Sequence, residues 1–296
     1  MTLSFAVPRA ADHRIAGMIH GAIGMAIFAG SLPATRVAVL GLDAIFITAG
    51  RAAGAGILAV ILLTATRQKL PARADIIPLL VVAGGVVLGF PLLTALALRS
   101  VPAAHTIVFI GLLPLATALF AVLRATEKPR PAFWLWAGAG SAAVCLYALW
   151  HSTGGFAAPD LLMLTAVVVC GLGYAEGSRL AKRLGSWQVI CWALVLSLPV
   201  SLPATLATLP VDTASVALPA WLGFAYVTLF SMFIGFFFWY RGLALGGIAR
   251  VSQIQLFQPF LGLALAALVL GETVSPDIAV VAVVIGLCVW QARKHA

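Results

Sequence analysis

Apolar runs of about 20 residues, long enough to cross a bilayer as helices, repeat along nearly the whole of this sequence. They lie near 15–35, 43–65, 75–98, 102–123, 131–150, 158–181, 186–207, 217–240, 248–270 and 275–292. The connectors are short and carry Pro, Asp or Gly, as in "LGLD", "RQKLPARAD" and "HSTGGFAAPD". None is long enough to fold as a soluble domain. Only 9% of the chain is charged, against roughly 25% in a soluble globular domain. There is too little polar surface for water to be the main solvent. The sequence therefore predicts an all-α membrane protein of ten transmembrane helices.

Eighteen Lys and Arg against nine Asp and Glu give a net charge of +9. The bases are scattered through the connectors and gather on no one face, so nucleic acid is not an expected partner. Placing the N-terminus in the cytoplasm puts 15 of the 18 bases on that side. Arg36 and Arg99 then lie outside, and Arg51 lies within the second run. Basic connectors stay cytoplasmic, so both termini are expected there, in a bacterial-type inner membrane. Trp134, Trp136, Trp187, Trp239 and Trp290 fall near the inner ends of runs, where an aromatic belt is expected. Arg9 and Arg14 ahead of the first run would also suit a cleaved leader. The repeat described next needs that run as a helix. The four cysteines sit inside apolar runs without a CxxC pair, so they read as packing residues, and neither disulfide nor metal is expected. No cofactor motif is present.

The chain repeats itself. Ala104, Pro114, Glu127 and Pro131 recur 145 residues later as Ala249, Pro259, Glu272 and Pro276. Gly30-Ser31 recurs as Gly177-Ser178 at an offset of 147. Four landmarks at one offset indicate an internal duplication, with a first repeat over 1–150 and a second over 151–296. Five runs is an odd number, so the second repeat enters the membrane inverted. Inverted repeats build secondary transporters, with a solute site between the halves near the midplane. A small-molecule substrate and the lipid bilayer are the expected partners. Oligomeric state is not legible. Pro114 and Pro259 are expected to bend helices 4 and 9. Glu127 and Glu272 are expected to accept hydrogen bonds from the free N–H groups of the helix that follows each.

Polar groups inside a span are costly, and each needs a reason. Arg51 lies about eight residues, or roughly 12 Å, into helix 2. It could bind a substrate carboxylate or tie helix ends together. Ser252, Gln255 and Gln258 are spaced by three and share one face of helix 9. Gln both donates and accepts, which suits a zwitterion, although helix–helix hydrogen bonding would also use it. Thr94, His105, Thr106 and Ser231 are further candidates for the cavity. Glu176 is the one acid inside a span, and Arg179 three residues on is placed to pair with it. A proton-driven antiporter would hold a carboxylate deep in the membrane. Its lack here favours facilitated export.

Ten spans, an inverted duplication and Pro-x12-Glu at the end of each half resemble the drug/metabolite transporter superfamily, in its EamA-type exporters. The second-half stretch "LALGGIARVSQIQLFQPFLGLALAALVLGETVSP" is similar to that family's signature. The first half departs from it, with "ATE" at 125–127 for the usual "LGE" and "FAGS" at 28–31 for "WGS". Arg51 in "ITAGRAAGAGILAV" matches a common family arginine. The resemblance covers nearly the whole chain. It implies export rather than an enzymatic reaction. Its branch implies neutral or aromatic amino acids as cargo. The alternative within the fold is proton-coupled export of quaternary ammonium drugs or of another small metabolite.

Overall fold

The computed structural model describes residues 10–101, 106, 109–150, 157–270 and 278–296. His105, Glu272, Pro276 and Ala104 lie outside them. Among the described residues all regular structure is helical. Six helical stretches are long and apolar enough to cross a membrane: Asp12–Val39, Ala44–Ala65, Arg73–Ser100, Ala158–Leu184, Ser186–Ala207 and Leu218–Gly246. Of the other four expected runs, 131–150 is one 20-residue helix, Pro131–Trp150, and the described parts of the rest hold shorter helices.

The first stretch is two helices, α1 (Ala10–Ala29) and α2 (Ser31–Val39), meeting at Gly30. Gly30 is required there, because a Cβ would lie 2.4 Å from the Tyr226 hydroxyl. That hydroxyl donates to the Ile27 carbonyl at 2.8 Å. Helix α3 (Ala44–Ala65) follows, capped by Asp43, whose carboxylate accepts from the Ile45 N–H at 2.8 Å. Helices α4 (Arg73–Val82) and α5 (Phe90–Ser100) are joined by a π-helical segment, Ala83–Gly89. Then come α6 (Leu113–Ala125) and α7 (Pro131–Trp150).

The second half opens with α8 (Ala158–Leu184) and α9 (Ser186–Ala207). Helices α10 (Leu218–Tyr226) and α11 (Gly235–Gly246) are again joined by a π-helical segment, Val227–Ile234. A short α12 (Ile248–Ser252) passes through a 3-10 segment, Gln253–Phe257, into α13 (Gln258–Leu270), and α14 (Ile278–His295) ends the fold.

The prolines act differently from a mid-helix bend. Pro114 and Pro259 are each the second residue of a helix, α6 and α13. A proline at that position gives up only a donor that has no partner anyway. The helical run is interrupted just ahead of it, by a turn at Gly111–Leu112 and by the 3-10 segment.

Large apolar side chains such as Ile19, Ile61, Leu123 and Leu268 point outward and are exposed. This is the surface a lipid-solvated bundle presents. Inside, the most extensive helix contact is α1 on α11. A Cβ on Gly17 would fall 2.4 Å from the Gly246 nitrogen, and one on Gly242 would fall 2.6 Å from the Gly21 nitrogen. Small residues there let two backbones touch. Helix α3 packs on α9, α7 on α14, and α5 on α8. Helix α8 also holds α6, as α1 also holds α13.

Polar contacts tie the two ends of the bundle. At one end the Arg36 Nη1 donates to the Leu98 carbonyl at 2.6 Å, and the Arg99 and Asp43 side chains approach within 4.0 Å. At the other end Arg183 pairs with the buried Asp75, and Gln188 Nε2 donates to Gln68 Oε1 at 3.3 Å. Glu176 is fully buried and pairs with Arg179 and, at 3.2 Å, with Arg124. Arg183, Arg179 and Arg124 are thus held at the second end by buried acids. Trp239 corrects the aromatic belt: it is fully buried, edge-on to Phe28 and 5.5 Å from the Tyr174 ring.

Candidate functional site

Between the two halves lies a small cavity of about 40 Å³. Its polar part is built by three helical segments. Helix α3 brings Arg51, whose Nη2 donates to Ser231 Oγ at 2.9 Å. Ser231 sits inside the π-helical segment Val227–Ile234, and its Oγ is 2.7 Å from Ser31 Oγ at the start of α2. A π turn widens the helix by one residue and re-aims its side chains, and such turns recur at functional sites. Here it carries Ser231 to the guanidinium.

Arg51 is 6% exposed. Its Nε is buried without a hydrogen-bond partner, and no ion pair among the described residues includes it. A guanidinium has five donors in a planar fork that matches a carboxylate. The one serine hydroxyl it reaches, Ser231 Oγ, leaves that capacity largely unused. The site therefore holds an uncompensated positive charge facing the cavity.

The rest of the wall is mostly aromatic and apolar, with Phe28, Phe90, Tyr174, Phe236, Ile110 and Leu113. Phe28 and Phe236 pack with ring centroids 4.8 Å apart. Gln258 lines the cavity with its amide held weakly. Its Nε2 donates to the Phe28 carbonyl at 3.5 Å, and its Oε1 accepts from Gln255 at 3.5 Å. Both are at the outer limit for a hydrogen bond, so the amide is available to another partner. No carboxylate lines the cavity among the described residues.

The structure thus brings together Arg51, Ser231, Thr94 and Gln258 of the expected site residues. The Thr94 hydroxyl is satisfied by its own helix, donating to the Phe90 carbonyl at 2.7 Å. Three others do not line the cavity. The Ser252 hydroxyl bonds the Ala249 carbonyl at 3.1 Å. Gln255 is fully buried beside the Tyr174 hydroxyl, beneath the cavity rather than in its wall. Thr106 is fully buried away from it. Of the three-spaced polar face on helix 9, only Gln258 lines the cavity, while Gln255 and Ser252 are fully covered by packing.

Glu127 caps a helix, but not the one that follows it. Its carboxylate accepts from the Ile248 and Ala249 N–H groups, each at 2.8 Å. These are free donors at the start of α12, in the other half of the chain. Glu176 lies at the base-rich end and outside the cavity wall.

Sequence reasoning missed Ser31, Phe28, Thr35, Cys170, Tyr174 and Phe236 as lining residues. Ser31 was visible as a marker of the repeat in "FAGS". Tyr174 was visible as a mid-span phenol. Phe28 and Phe236 carry no polar signal that separates them from packing residues.

The structure superposes on a solved crystal structure of 19% sequence identity with a TM-score of 0.73, covering 95% of this chain and 97% of the other. That likeness is one of fold. The sequence is 57% identical over 280 residues to the "Uncharacterized transporter YdeK" of Bacillus subtilis (strain 168), covering 95% of this chain and 98% of that protein. The model of the EamA-like transporter family matches twice, over residues 15–149 and again over 157–290. The two matches together cover most of the sequence, and the chain belongs to the EamA-like transporter family.

Proposed function

We propose that this protein exports neutral or aromatic amino acids from the cytoplasm by facilitated, alternating-access transport. The observation that carries this reading is the Arg51 guanidinium, hydrogen-bonded to Ser231 and without an ion pair, in an aromatic-walled cavity that no acid among the described residues lines. A carboxylate fits the guanidinium fork. Phe28, Tyr174 and Phe236 offer faces to an apolar or aromatic side chain and to an ammonium. A quaternary ammonium drug would meet a like charge at Arg51 and no acid to offset it. Among the described residues no carboxylate lines the cavity to carry a coupling proton, which supports facilitated export.

Ten spans in two inverted repeats provide the moving parts. Several observations support that architecture. The two π-helical segments, Ala83–Gly89 and Val227–Ile234, sit 144 to 145 residues apart, at the offset of the sequence repeat. Helix packing exchanges under the same offset. The contact of α1 with α11 has its partner in that of α8 with the α4–α5 run, and α8 with α6 has its partner in α1 with α13. The α3–α9 and α7–α14 contacts each map onto themselves. The glycine-lined α1–α11 seam is smooth enough for one helix to shift on another. The bases at one end of the bundle support cytoplasmic termini in a bacterial inner membrane.

The test is uptake of labelled phenylalanine and leucine into proteoliposomes, with and without a pH gradient, beside a labelled quaternary ammonium compound. Saturable amino-acid uptake that ignores the pH gradient is expected. Uptake of the quaternary ammonium compound alone, or uptake that requires the gradient, would replace this reading with proton-coupled drug export.

A further inference from the structure

The cavity is one-sided, and the repeat indicates where its missing half lies. Two pairs of repeat-related residues both line it: Val86 with Ser231, and Leu113 with Gln258, each 145 residues apart. Pro91 and Phe236 form a third such pair. These pairs mark a central level shared by the two halves. Beyond that level only one member of each pair is present. Ser31, Thr35, Thr94 and Ile110 line the cavity, toward the end that holds Arg36 and Arg99. Their counterparts do not. At the offset of 147 for the first helix these are Ser178 and Lys182, and at 145 they are Trp239 and Gln255. The 147 offset also aligns Gly24 with Gly171 and Gly30 with Gly177, so the register of this helix pair rests on three residues.

A second observation falls on the same residues. Ser178, Trp239 and Gln255 are each fully buried. The Ser178 Oγ, the Trp239 Nε1 and the Gln255 Oε1 each lack a hydrogen-bond partner. Buried polar atoms are rarely left so, and each is costly. These three stand in helices from the second repeat, below the Tyr174 ring that floors the cavity and touches Trp239 and Gln255. The layer is tightly shut. A Cβ on Gly177 would lie 2.3 Å from the Tyr240 ring, whose hydroxyl donates to the Gly173 carbonyl at 3.3 Å. Lys182, the counterpart of Thr35, lies already in an open cleft at the base-rich end, with Trp187 and Arg241.

We infer that Ser178, Trp239 and Gln255 line the cytoplasmic half of the solute path, closed in this structure, with Lys182 at its mouth. This rests on the alternating-access reading above. When the halves rock, these atoms exchange a dry, unpaired setting for water and solute, as Ser31, Thr35 and Thr94 give up theirs. Lys182 at the mouth attracts carboxylate-bearing solutes from the cytoplasm, whereas its counterpart in the first half, Thr35, is neutral and buried in the cavity wall.

Ser31→Cys and Ser178→Cys, made singly and together in the full-length protein, test this. A charged, membrane-impermeant thiol reagent is applied to right-side-out and to inverted vesicles, and each modified cysteine is located by peptide fragmentation, so the native thiols do not confuse the result. The thiol introduced by Ser31→Cys should react only from the outside, and that introduced by Ser178→Cys only from the cytoplasmic face. In the double variant, prior blocking of the outer thiol with a bulky reagent should abolish the reaction of the inner one. A Ser178→Cys variant that still transports but whose new thiol is silent from the cytoplasmic face overturns the inference. So does an inner thiol that reacts equally after the outer one is blocked. Should Ser178→Cys not fold, Gln255→Cys is scored in the same way. Failure of any amino acid to move, with the inner thiol nonetheless reactive from the cytoplasmic face, counts against the cargo and leaves the path standing.

Discussion

The carboxylate of Glu127, at the end of the first half, closes over the backbone of Ile248, at the start of a helix in the second, and takes the N–H of Ala249 as well, both at 2.8 Å. One side chain thus fastens the two halves at the base-rich end. Charge-assisted hydrogen bonds to an ionised acceptor are worth roughly 1.5–3 kcal/mol. Glu127→Ala should lower unfolding stability by about 2 kcal/mol, and Glu127→Gln by about half that, because one amide oxygen can still accept. Thermal unfolding of the purified protein in detergent measures both. Equal losses for the two variants would contradict this, because they would show that a single amide oxygen keeps none of the cap.

Arg51 and Ser231 should separate in transport. Arg51→Gln removes the fork and charge that face the cavity, and should raise the KM for a neutral amino acid by about 10- to 100-fold. Arg51→Lys keeps a charge but not two parallel donors, and should fall between. Ser231→Ala frees Nη2 without removing the cation, so its effect should be several-fold smaller. Initial rates in proteoliposomes against substrate concentration distinguish these. An unchanged KM in Arg51→Gln would give the arginine a purely structural role.

Glu176 has two arginines, and either one should suffice. Arg124 and Arg179 are partly exposed while Glu176 is not. Losing one arginine should cost about 1 kcal/mol, since the other still neutralises the carboxylate. Losing both leaves a buried charge uncompensated, and should cost about 3 kcal/mol or more. The double variant Arg124→Gln/Arg179→Gln should therefore destabilise by more than the sum of the singles. Denaturant unfolding monitored by tryptophan fluorescence reads the difference.

Two glycines give opposite results on substitution. A Cβ at Gly17 meets the backbone of Gly246, which cannot yield as a side chain would. Gly17→Ala should cost about 1–3 kcal/mol through overpacking and should slow transport by jamming the α1–α11 seam. At Gly138, inside α7, nothing lies within 4 Å of an added Cβ. Gly138→Ala should be neutral or stabilise by up to about 1 kcal/mol. Melting temperatures and transport rates of the two variants provide the comparison.

The helical class was legible because the bilayer demands long apolar runs, and the proposed duplication rests on Pro114 and Glu127 recurring at one spacing as Pro259 and Glu272. Four members of the cavity wall were legible for a related reason: Arg51, Thr94, Ser231 and Gln258 are polar where polarity is costly. The partner of Glu127 was not, since its cap joins residues 121 positions apart, and no local pattern encodes which free helix end lies nearest. Nor did composition reveal the two π-helical segments, because apolar residues such as those of "VTLFSMFI" suit an α-helix equally. Gln255 and Ser252 misled because a shared helix face does not fix depth: both are fully buried by packing, and only Gln258 lies at the cavity. The aromatic walls were hidden among other apolar side chains, whose positions only packing determines.

Equilibrium binding of labelled phenylalanine to the purified protein, competed by unlabelled phenylalanine and by phenylalaninamide, tests most directly the pairing of Arg51 with a substrate carboxylate. The amide keeps the ring and the ammonium but has no anion. Unlabelled phenylalanine should displace the label fully, phenylalaninamide should not, and Arg51→Gln should lose the binding. Equal competition by the two compounds, or undiminished binding in Arg51→Gln, would contradict the account.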